Sequence, residues 1–333
     1  MKTVTLLGAG AWGTAVATLL AHNGYRVKLW SHDSQVIAAI KAQGSNEQYL
    51  PGVKLSNLIE PVTDLQEALA GAQWIFEAVP VKFLRTILEQ SKSHCTHDQV
   101  WVILSKGMEQ HTHFLVSQMI DDVLGAATKK AVLSGPSFAQ DVANQDITGA
   151  TIAASDCAIG LELQQMLATK FFRPYVSLDL IGTQVGGAVK NVLALGTGML
   201  EGAGYKENAK AFLLTRGLHE MVHLATAFGG KQATLYGLSG VGDLVLTATG
   251  TQSKNFALGK RLGKGETLEA ILQEIGTAPE GVNTVQSVYD LARTQQLELP
   301  ICQGLYHVMF NGKKIDDLLA ELMARPLEVE CPL

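Results

Sequence analysis

The feature of this sequence that most constrains its fold is a glycine-rich turn near the start of the chain. Residues 4–7 form a short apolar run, and the turn GAGAWG (8–13) follows it and opens a helix-like segment. In such a turn Gly8 permits the tight bend, Gly10 lets a pyrophosphate approach the backbone, and Gly13 lets the helix pack closely on the strand. The helix N-terminus then attracts negative charge. The pattern predicts a dinucleotide-binding turn; a glycine-rich turn without a ligand is the alternative.

Short apolar runs alternate with longer amphipathic stretches through the first half of the chain. The strand-like runs are 4–7, 27–30, 74–79, 100–104, 131–133 and 150–154. The helix-like segments include 13–23, 34–43 and 83–91. Because strands that alternate with helices pair in parallel, we predict the α/β fold class with a Rossmann-type, doubly wound parallel sheet.

Helical patterns replace the strand pattern after about residue 179. They occupy 185–200, 209–228, 253–260, 267–275, 282–295 and 315–323. Neither a low-complexity linker nor an internal repeat separates the two halves. We predict two domains that pack against each other, a dinucleotide-binding domain over 1–179 and an all-α substrate domain over 180–333.

Charge and cysteine content exclude several classes of protein. A net charge of −5 argues against a nucleic-acid partner. The first apolar run begins too early to leave room for a signal peptide, and no His/Cys cluster predicts a metal site. The cysteines form no CxxC pair, which favours free thiols in a reducing, cytoplasmic compartment. They are Cys95, Cys157, Cys302 and Cys331.

The segment 180–200 is long enough to raise the question of a membrane span. Lys190 lies in its middle, however, and five glycines interrupt it. Since a charge at the centre of a lone span costs about 3 kcal/mol or more, we interpret the segment as a buried helix and expect no membrane insertion.

The residues after the second strand bear on the choice of cofactor. An Asp or Glu at this place accepts hydrogen bonds from the ribose hydroxyls of NAD. Here the sequence is Ser31-His32-Asp33. Ser31 and His32 can accommodate a 2′-phosphate, whereas Asp33 can face a bare ribose. The pattern favours NADPH without excluding NADH, and a solvated loop histidine is the alternative for His32.

In open α/β sheets, ligands bind outside the carboxyl ends of the strands. The dipeptide 79–80 closes one predicted strand, and Lys106 in the sequence SKG presents a cation after the next. The sequence SGPSFA (134–139) follows the third. Each polar group has two interpretations. Lys106 contacts a ligand or is a solvated lysine, and Ser137 contacts a ligand or forms a capping box with Gln140.

Lys190 is the residue that most directly indicates a catalytic role. A lysine inside an apolar helix must reach water, pair with a carboxylate or face a ligand cavity. Small residues share its helical stripe and leave space beside the amine. Burial lowers the pKa of a lysine toward neutrality, where it serves as a proton donor and acceptor. The alternative is a side chain that extends past its neighbours to the surface.

Two further motifs supply partners for this lysine and for a phosphate. The glycines before Asp243 in GLSGVGDL predict a tight loop that brings a carboxylate into a site; a helix-capping aspartate is the alternative. Ser253, Lys254 and Asn255 place hydroxyl, ammonium and amide donors at the start of a helix. That grouping suits a phosphate, and a simple cap is the alternative.

Together these motifs resemble the NAD(P)-dependent glycerol-3-phosphate dehydrogenase family, in particular its bacterial branch. The matching pieces occur in order from residue 8 to about residue 284: GAGAWGTA, AVP, SKG, SGPSFA, GGAVKNVLALGTG, LLTRGLHEM, GLSGVGDLVLT, SKN and PEGVNT. The resemblance implies hydride transfer between NADPH or NADH and dihydroxyacetone phosphate to give sn-glycerol 3-phosphate, the precursor of glycerophospholipids. It also implies a homodimer.

The same resemblance implies roles for individual residues. The implied catalytic residues are Lys190, as proton donor and acceptor, with Lys106 and Asp243. The implied substrate-binding residues are Lys106, Gly135, Ser137, Asp243, Ser253, Lys254 and Asn255. The implied cofactor-binding residues are Gly8, Gly10, Ala11, Trp12, Gly13, His32, Lys106, Ala139, Lys254 and Glu280.

Two positions depart from the family pattern. Lys254 stands where the family commonly has Arg in an SRN motif, so the charge is kept but the bidentate fork is lost. Ala11 stands where many members carry Ser, which removes a hydroxyl that can bond phosphate.

Two rival functions are a related β-hydroxyacid or 6-phosphogluconate dehydrogenase and a catalytically silent NADPH-binding sensor. The Asp243 loop and the 253–255 cluster argue against the first. The joint presence of Lys190, Lys106 and Asp243 argues against the second.

Overall fold

The computed structural model describes residues 2–96 and 98–327, and in it a sheet of eight strands precedes a group of helices. The strands are β1 (Thr3–Leu7), β2 (Arg26–Trp30), β3 (Ser45–Asn46), β4 (Leu50–Lys54), β5 (Ile59–Val62), β6 (Trp74–Glu77), β7 (Val100–Ile103), β8 (Lys129–Ser134), β9 (Thr148–Ala154) and β10 (Phe172–Ser177). Strands β3 and β4 form a separate antiparallel pair. The order in the main sheet is β10-β9-β8-β7-β6-β1-β2-β5.

Helices make up most of the remaining described chain. The first seven are α1 (Ala11–His22), α2 (Ser34–Gln43), α3 (Leu65–Leu69), α4 (Val81–Ser91), α5 (Val116–Leu124), α6 (Ala139–Ala143) and α7 (Cys157–Leu167). They are followed by α8 (Leu180–Gly202), α9 (Glu207–Ala227), α10 (Gln232–Leu235), α11 (Asp243–Thr249), α12 (Lys254–Gly263), α13 (Leu268–Ile275), α14 (Glu280–Thr294), α15 (Pro300–Phe310) and α16 (Ile315–Met323). A 3-10 turn spans Lys92–His94, and a π-helical turn spans Leu238–Gly242.

The sheet is parallel over six strands, from β8 to β5, and reverses at one edge. Strand β9 pairs antiparallel with β8, with Leu133 opposite Ile152, and β10 pairs parallel with β9. The predicted parallel sheet is therefore confirmed for six strands, and β9 and β10 run in the opposite direction. The connection from β8 to β9 contains only one helix, the five-residue α6. The length of this connection is near the lower limit for a crossover that lets the next strand pair in parallel.

Both faces of the sheet are covered, which explains why the strands are apolar throughout. Along β7, Val100 and Val102 join the core cluster that includes α1, whereas Trp101 and Ile103 join the cluster that includes α4 and α5. A strand buried on both faces is expected to be a continuous apolar run. The doubly wound arrangement predicted from the sequence is confirmed.

The strand order reverses between β1 and β6. The chain runs from β1 outward through β2 to β5, then crosses to β6 on the other side of β1. Ligands bind in the crevice that such a reversal opens at the carboxyl ends of the strands. Here the reversal places the turn after β1 beside the turn after β6.

Helix α8 is the centre of the helical part. It packs against α9, α11, α12 and α14, and every residue from 182 to 200 is buried. The predicted buried helix is confirmed, and none of the described helices has the length and apolarity needed to cross a membrane. Its small residues do not leave open space, however. A side chain at Gly186 would collide with the Ser239 backbone and one at Gly198 with the Phe256 backbone, so the glycines instead allow close packing.

Candidate active site

A cavity of about 360 Å³ opens at the carboxyl ends of the central strands. Predicted site residues on the sheet side of this cavity are Ala11, Trp12, Lys106, Ser137 and Ala139. Those on the helical side are Lys254, Asn255 and Glu280. The structure therefore brings together residues that are far apart in sequence, and both halves of the chain contribute to one cavity.

The glycine-rich turn has the geometry that the sequence predicts. Gly8 has φ of +112°, and a Cβ there would lie 2.7 Å from the Ala78 carbonyl oxygen. A side chain at Gly13 would collide with the Gly8 carbonyl, whereas one at Gly10 would meet no atom within 4 Å. Gly8 and Gly13 therefore serve packing, and Gly10 faces open space through which a ligand can approach.

The residues at this turn fit a dinucleotide. The N-terminus of α1 has Gly10 as its N-cap, so no side chain satisfies its first N–H groups. The indole Nε1 of Trp12 is buried and has no hydrogen-bond partner in the described part of the chain. Uncapped N–H groups and a free indole donor beside a cavity match the acceptor oxygens of phosphates. The residues present thus fit the cofactor predicted from the sequence.

Asp243 lies at the centre of the predicted catalytic group. Its Oδ2 accepts a hydrogen bond of 2.6 Å from Lys106 Nζ, and its Oδ1 accepts one from Lys190 Nζ. Lys190 Nζ also donates to Thr247 Oγ1 at 2.8 Å. Two ammonium groups thus share one buried carboxylate. The aspartate does not cap α11, whose N-cap is Gly242.

The pKa of Lys190 is shifted strongly by this environment. Burial and the charge of Lys106 lower this pKa, the charge of Asp243 raises it, and the net result is a pKa of about 7. Because burial is the largest influence, the amine changes protonation state near neutral pH. Lys190 does not extend to the surface: 7% of it is exposed.

Gly135 and Ser137 lie next to Lys106. Lys106 Nζ donates to the Gly135 carbonyl oxygen at 3.1 Å, and Ser137 Oγ donates to the same oxygen at 3.0 Å. The capping-box interpretation of Ser137 is wrong, because α6 has Phe138 as its N-cap and no side-chain cap. The interpretation of Lys106 as a solvated lysine is also wrong, since its ammonium is bound on two sides.

The three residues 253–255 have different surroundings. Ser253 Oγ accepts from Phe256 N at 3.2 Å and caps α12, and Ser253 does not line the cavity. Asn255 is buried; its Nδ2 donates to Asn191 Oδ1 at 2.9 Å. Lys254 is exposed at the cavity, and no hydrogen bond or ion pair from the described chain engages it.

His32 lies outside the cavity lining, as do the predicted cofactor residues Gly8, Gly10 and Gly13. It is exposed, and its ring lies 6.5 Å from that of Trp30. The neighbouring Asp33 caps α2, with Oδ1 accepting from Gln35 N at 2.9 Å. Oδ1 of Asp33, the carboxylate that can face a bare ribose, is therefore engaged by the helix.

Glu280 joins the two halves of the chain at the cavity. Its Oε1 accepts from Val81 N at 3.3 Å, at the start of α4. Gly107 packs against the same carboxylate, where a Cβ would lie 3.1 Å from Oε2. Burial raises the pKa of Glu280.

Two family models match this chain over most of its length. The model described as the NAD-dependent glycerol-3-phosphate dehydrogenase N-terminus matches residues 3–159, and the model described as its C-terminus matches residues 179–320. The chain belongs to the NAD-dependent glycerol-3-phosphate dehydrogenase family. The resemblance noted in the sequence motifs is confirmed.

Individual members of the dehydrogenase family are similar over almost the whole chain. A glycerol-3-phosphate dehydrogenase [NAD(P)+] of Bacillus subtilis is 42% identical over 327 residues, which are 98% of this chain and 95% of the relative. The crystal structure of a glycerol-3-phosphate dehydrogenase from Coxiella burnetii is 35% identical with a TM-score of 0.93, covering 97% of this chain and 99% of that one. The structure of a glycerol-3-phosphate dehydrogenase from Saccharomyces cerevisiae is 26% identical with a TM-score of 0.84, covering 97% of this chain and 99% of that one.

Residues of this glycerol-3-phosphate dehydrogenase site that the sequence reasoning did not assign include Asn46, Glu77, Asn191 and Thr247. Thr247 lies one helical turn after Asp243, so the spacing was a usable signal. Glu77 is an acidic residue inside an apolar run, and that unusual position was also a usable signal. Asn46 Nδ2 donates to the Ala9 carbonyl at 2.9 Å across 37 residues, and no local pattern indicates that contact.

Proposed function

We propose that the protein catalyses the reversible reduction of dihydroxyacetone phosphate to sn-glycerol 3-phosphate with NADPH or NADH. The observation that carries this proposal is the buried Asp243 carboxylate holding Lys190 and Lys106 beside a cavity that the glycine-rich turn also borders. A proton-transfer group and a cation next to a nicotinamide site are what reduction of a carbonyl requires.

Lys190 is the proton donor in this proposal. When bound, the cofactor supplies the hydride to the carbonyl carbon. Lys190 Nζ gives its proton to the oxygen on which negative charge develops, and in the reverse direction the neutral amine takes it back. A pKa of about 7 leaves both protonation states populated at neutral pH.

Lys106 and Asp243 assist without transferring the proton. The Lys106 ammonium, fixed by Asp243 and the Gly135 carbonyl, adds positive field near the reacting oxygen. Asp243 lies between the two lysines, so two amino groups share one carboxyl group at this end of the cavity. The positive field of Lys106 suits an anionic substrate and a developing alkoxide.

The phosphate end of the substrate binds at the start of α12. Lys254 is exposed at the cavity and Asn255 lies beside it. An ammonium and an amide at a helix N-terminus are suitable donors for a phosphate. Ser253 supports the site by capping the helix, and Gly135 and Ser137 border the reacting end.

The cofactor binds along the turn after β1, with Ala11, Trp12, Ala139 and Glu280 around it. We infer a preference for NADPH. The Asp33 carboxylate is held by backbone N–H groups of α2, which leaves exposed His32 as the group available for a 2′-phosphate. The change His32→Ala should therefore raise the KM for NADPH and leave that for NADH unchanged.

Several properties follow from the same proposal. The chain divides near residue 180, between the end of β10 at Ser177 and the start of α8 at Leu180. The enzyme works in the cytoplasm as a homodimer, and it supplies glycerol 3-phosphate for glycerophospholipids. The cysteines Cys95, Cys157 and Cys302 are free, and Cys331 lies outside the described residues.

The test follows absorbance of NADPH, and separately of NADH, in the presence of purified protein and dihydroxyacetone phosphate. We expect oxidation that requires this substrate and is faster with NADPH. A β-hydroxy acid assayed in the oxidative direction serves as the control. Turnover of the hydroxy acid alone, or binding of NADPH without oxidation, would refute the proposed function.

A further inference from the structure

Glu77, the last residue of β6, has a role that the proposed chemistry does not use. The residue is fully buried. Its Oε1 accepts hydrogen bonds from Ser105 Oγ at 2.7 Å, Ser105 N at 3.3 Å and Leu104 N at 3.2 Å. Its Oε2 has no hydrogen-bond partner in the part of the chain that the structure describes. A buried polar atom without a partner is rare and calls for an explanation.

The contacts of Glu77 tie together two of the turns that form the cavity. The turn after β6, residues 78–80, follows Glu77 directly and lines the cavity. The turn after β7 provides Leu104, Ser105 and Lys106, which also line it. One carboxyl group therefore connects a turn that borders the cofactor with the turn that presents Lys106.

Among the residues that the structure describes, none forms an ion pair with Glu77 that would compensate a charge on it. The neighbouring strands place Leu7 and Ile103 beside it. The nearest cation along the adjoining turn, Lys106, directs its ammonium to Asp243 and Gly135. Burial raises the pKa of Glu77 to about 8, and the hydrogen bonds from Ser105 and Leu104 act against that rise. The carboxyl group is therefore mostly protonated at neutral pH.

We propose that Glu77 is a positioning residue of the cofactor site, whose carboxyl group holds the turn 104–106 in the conformation that faces the dinucleotide. An apolar side chain would fill the same space but would remove the acceptor of Ser105 N and Ser105 Oγ, whereas Leu104 N would keep its hydrogen bond of 2.9 Å to the Glu77 backbone carbonyl. This inference rests on the proposed function only in that the cavity receives a dinucleotide.

The ionised carboxylate should weaken binding of a dinucleotide. A negative charge directly behind the cavity repels the phosphates of the ligand, and by linkage a bound dinucleotide favours the protonated acid. The affinity for the dinucleotide should therefore fall as pH rises through the pKa of Glu77.

The test compares dissociation constants for NADPH, measured by the change in its fluorescence without substrate, across about pH 6.5 to about pH 9.5. In Glu77→Gln the acceptor oxygen is kept and titration is abolished. In Glu77→Leu the acceptor is removed. The matched control is Glu220→Gln, because Glu220 is another buried carboxyl that accepts two backbone N–H groups, those of Ile301 and Cys302.

We expect Glu77→Gln to bind like the wild type within about twofold at neutral pH, and Glu77→Leu to bind at least about threefold more weakly. The wild-type dissociation constant should rise about fivefold more than that of Glu77→Gln on going to alkaline pH. Glu220→Gln should follow the wild type. Wild-type and Glu77→Gln profiles that coincide across the pH range would overturn the proposal, whether or not Glu77→Leu folds. A wild-type protein that binds no dinucleotide would overturn the proposed function as well.

Discussion

The ammonium group of Lys190, on α8, donates a hydrogen bond to the carboxylate of Asp243, the first residue of α11 and 53 positions later in the sequence. Both groups are buried, and Asp243 also binds Lys106 at 2.6 Å. Removing the Asp243 charge would leave Lys190 buried without a carboxylate, so the pair is sensitive to substitution at Asp243. Burial lowers the pKa of Lys190 to about 7 against the opposing effect of Asp243, so Lys190 titrates near neutral pH.

The pH dependence of the reaction should differ in sign between the two directions. Reduction needs protonated Lys190, so kcat/KM for dihydroxyacetone phosphate should be constant below the pKa of about 7. It should then fall about tenfold per pH unit above that value. Oxidation of glycerol 3-phosphate needs the neutral amine and should show the opposite slope. Rates in both directions over the same buffers check this, and parallel profiles in the two directions would exclude Lys190 as the titrating group.

The change Asp243→Asn should reduce kcat by at least about 100-fold while NADPH binding persists, because it releases both lysines. Its residual activity should titrate at lower pH, since the charge of Asp243 is the largest influence that raises the pKa of Lys190. The free energy of unfolding should fall by about 3–5 kcal/mol, as expected when a buried pair loses one partner. Steady-state kinetics and denaturant titration measure the two effects, and an unchanged pH midpoint would contradict the account.

The regular elements could be predicted wherever local signals mark their ends. Helices α2 and α16 were predicted at 34–43 and 315–323, the bounds that the structure shows. For α2, Asp33 caps the start and Gly44, with φ of +66°, ends it. Strands β5 and β10 were missed, because each is interrupted by a proline and lies at an edge of the sheet.

The parts of the site that could be predicted are residues whose type and local sequence restrict the environment they can occupy. A lysine in an apolar helix must reach water, pair with a carboxylate or face a ligand cavity, and that reasoning offered Asp243 as the partner of Lys190. Contacts that form only through tertiary packing are not indicated by any local pattern in the sequence. The Asn46 contact with the glycine-rich turn is one example, and the antiparallel pairing of β9 is another.

The change Lys254→Arg should strengthen binding of the substrate phosphate. Lys254 is exposed at the cavity without a protein partner in the described chain. The guanidinium of an arginine at this position can therefore donate hydrogen bonds to two phosphate oxygens. We expect the KM for dihydroxyacetone phosphate to fall about threefold to tenfold with kcat unchanged. Lys254→Ala should raise that KM. Kinetics showing a higher KM in Lys254→Arg than in the wild type would argue against a phosphate at this position.

The glycines of the first turn offer a matched pair of substitutions. Gly10→Ala introduces a methyl group into open space at φ of −75°, so the free energy of unfolding should change by less than about 1 kcal/mol. The dissociation constant for NADPH should nevertheless rise at least about tenfold, because the methyl group blocks approach of the pyrophosphate. Gly13→Ala should destabilise the fold by at least about 2 kcal/mol through collision with the Gly8 carbonyl. Denaturation and fluorescence titration separate the two effects; equal loss of stability in both would contradict this division of roles.

The account depends most directly on Lys190 as the proton donor, and one measurement on Lys190→Ala tests it. Turnover of dihydroxyacetone phosphate is measured beside the dissociation constant for NADPH, with Lys41→Ala, an exposed lysine on α2, as the control. We predict that kcat falls about 100-fold to 10,000-fold while NADPH binds as it does to the wild type. Turnover that stays near the wild-type rate in Lys190→Ala would contradict the central claim.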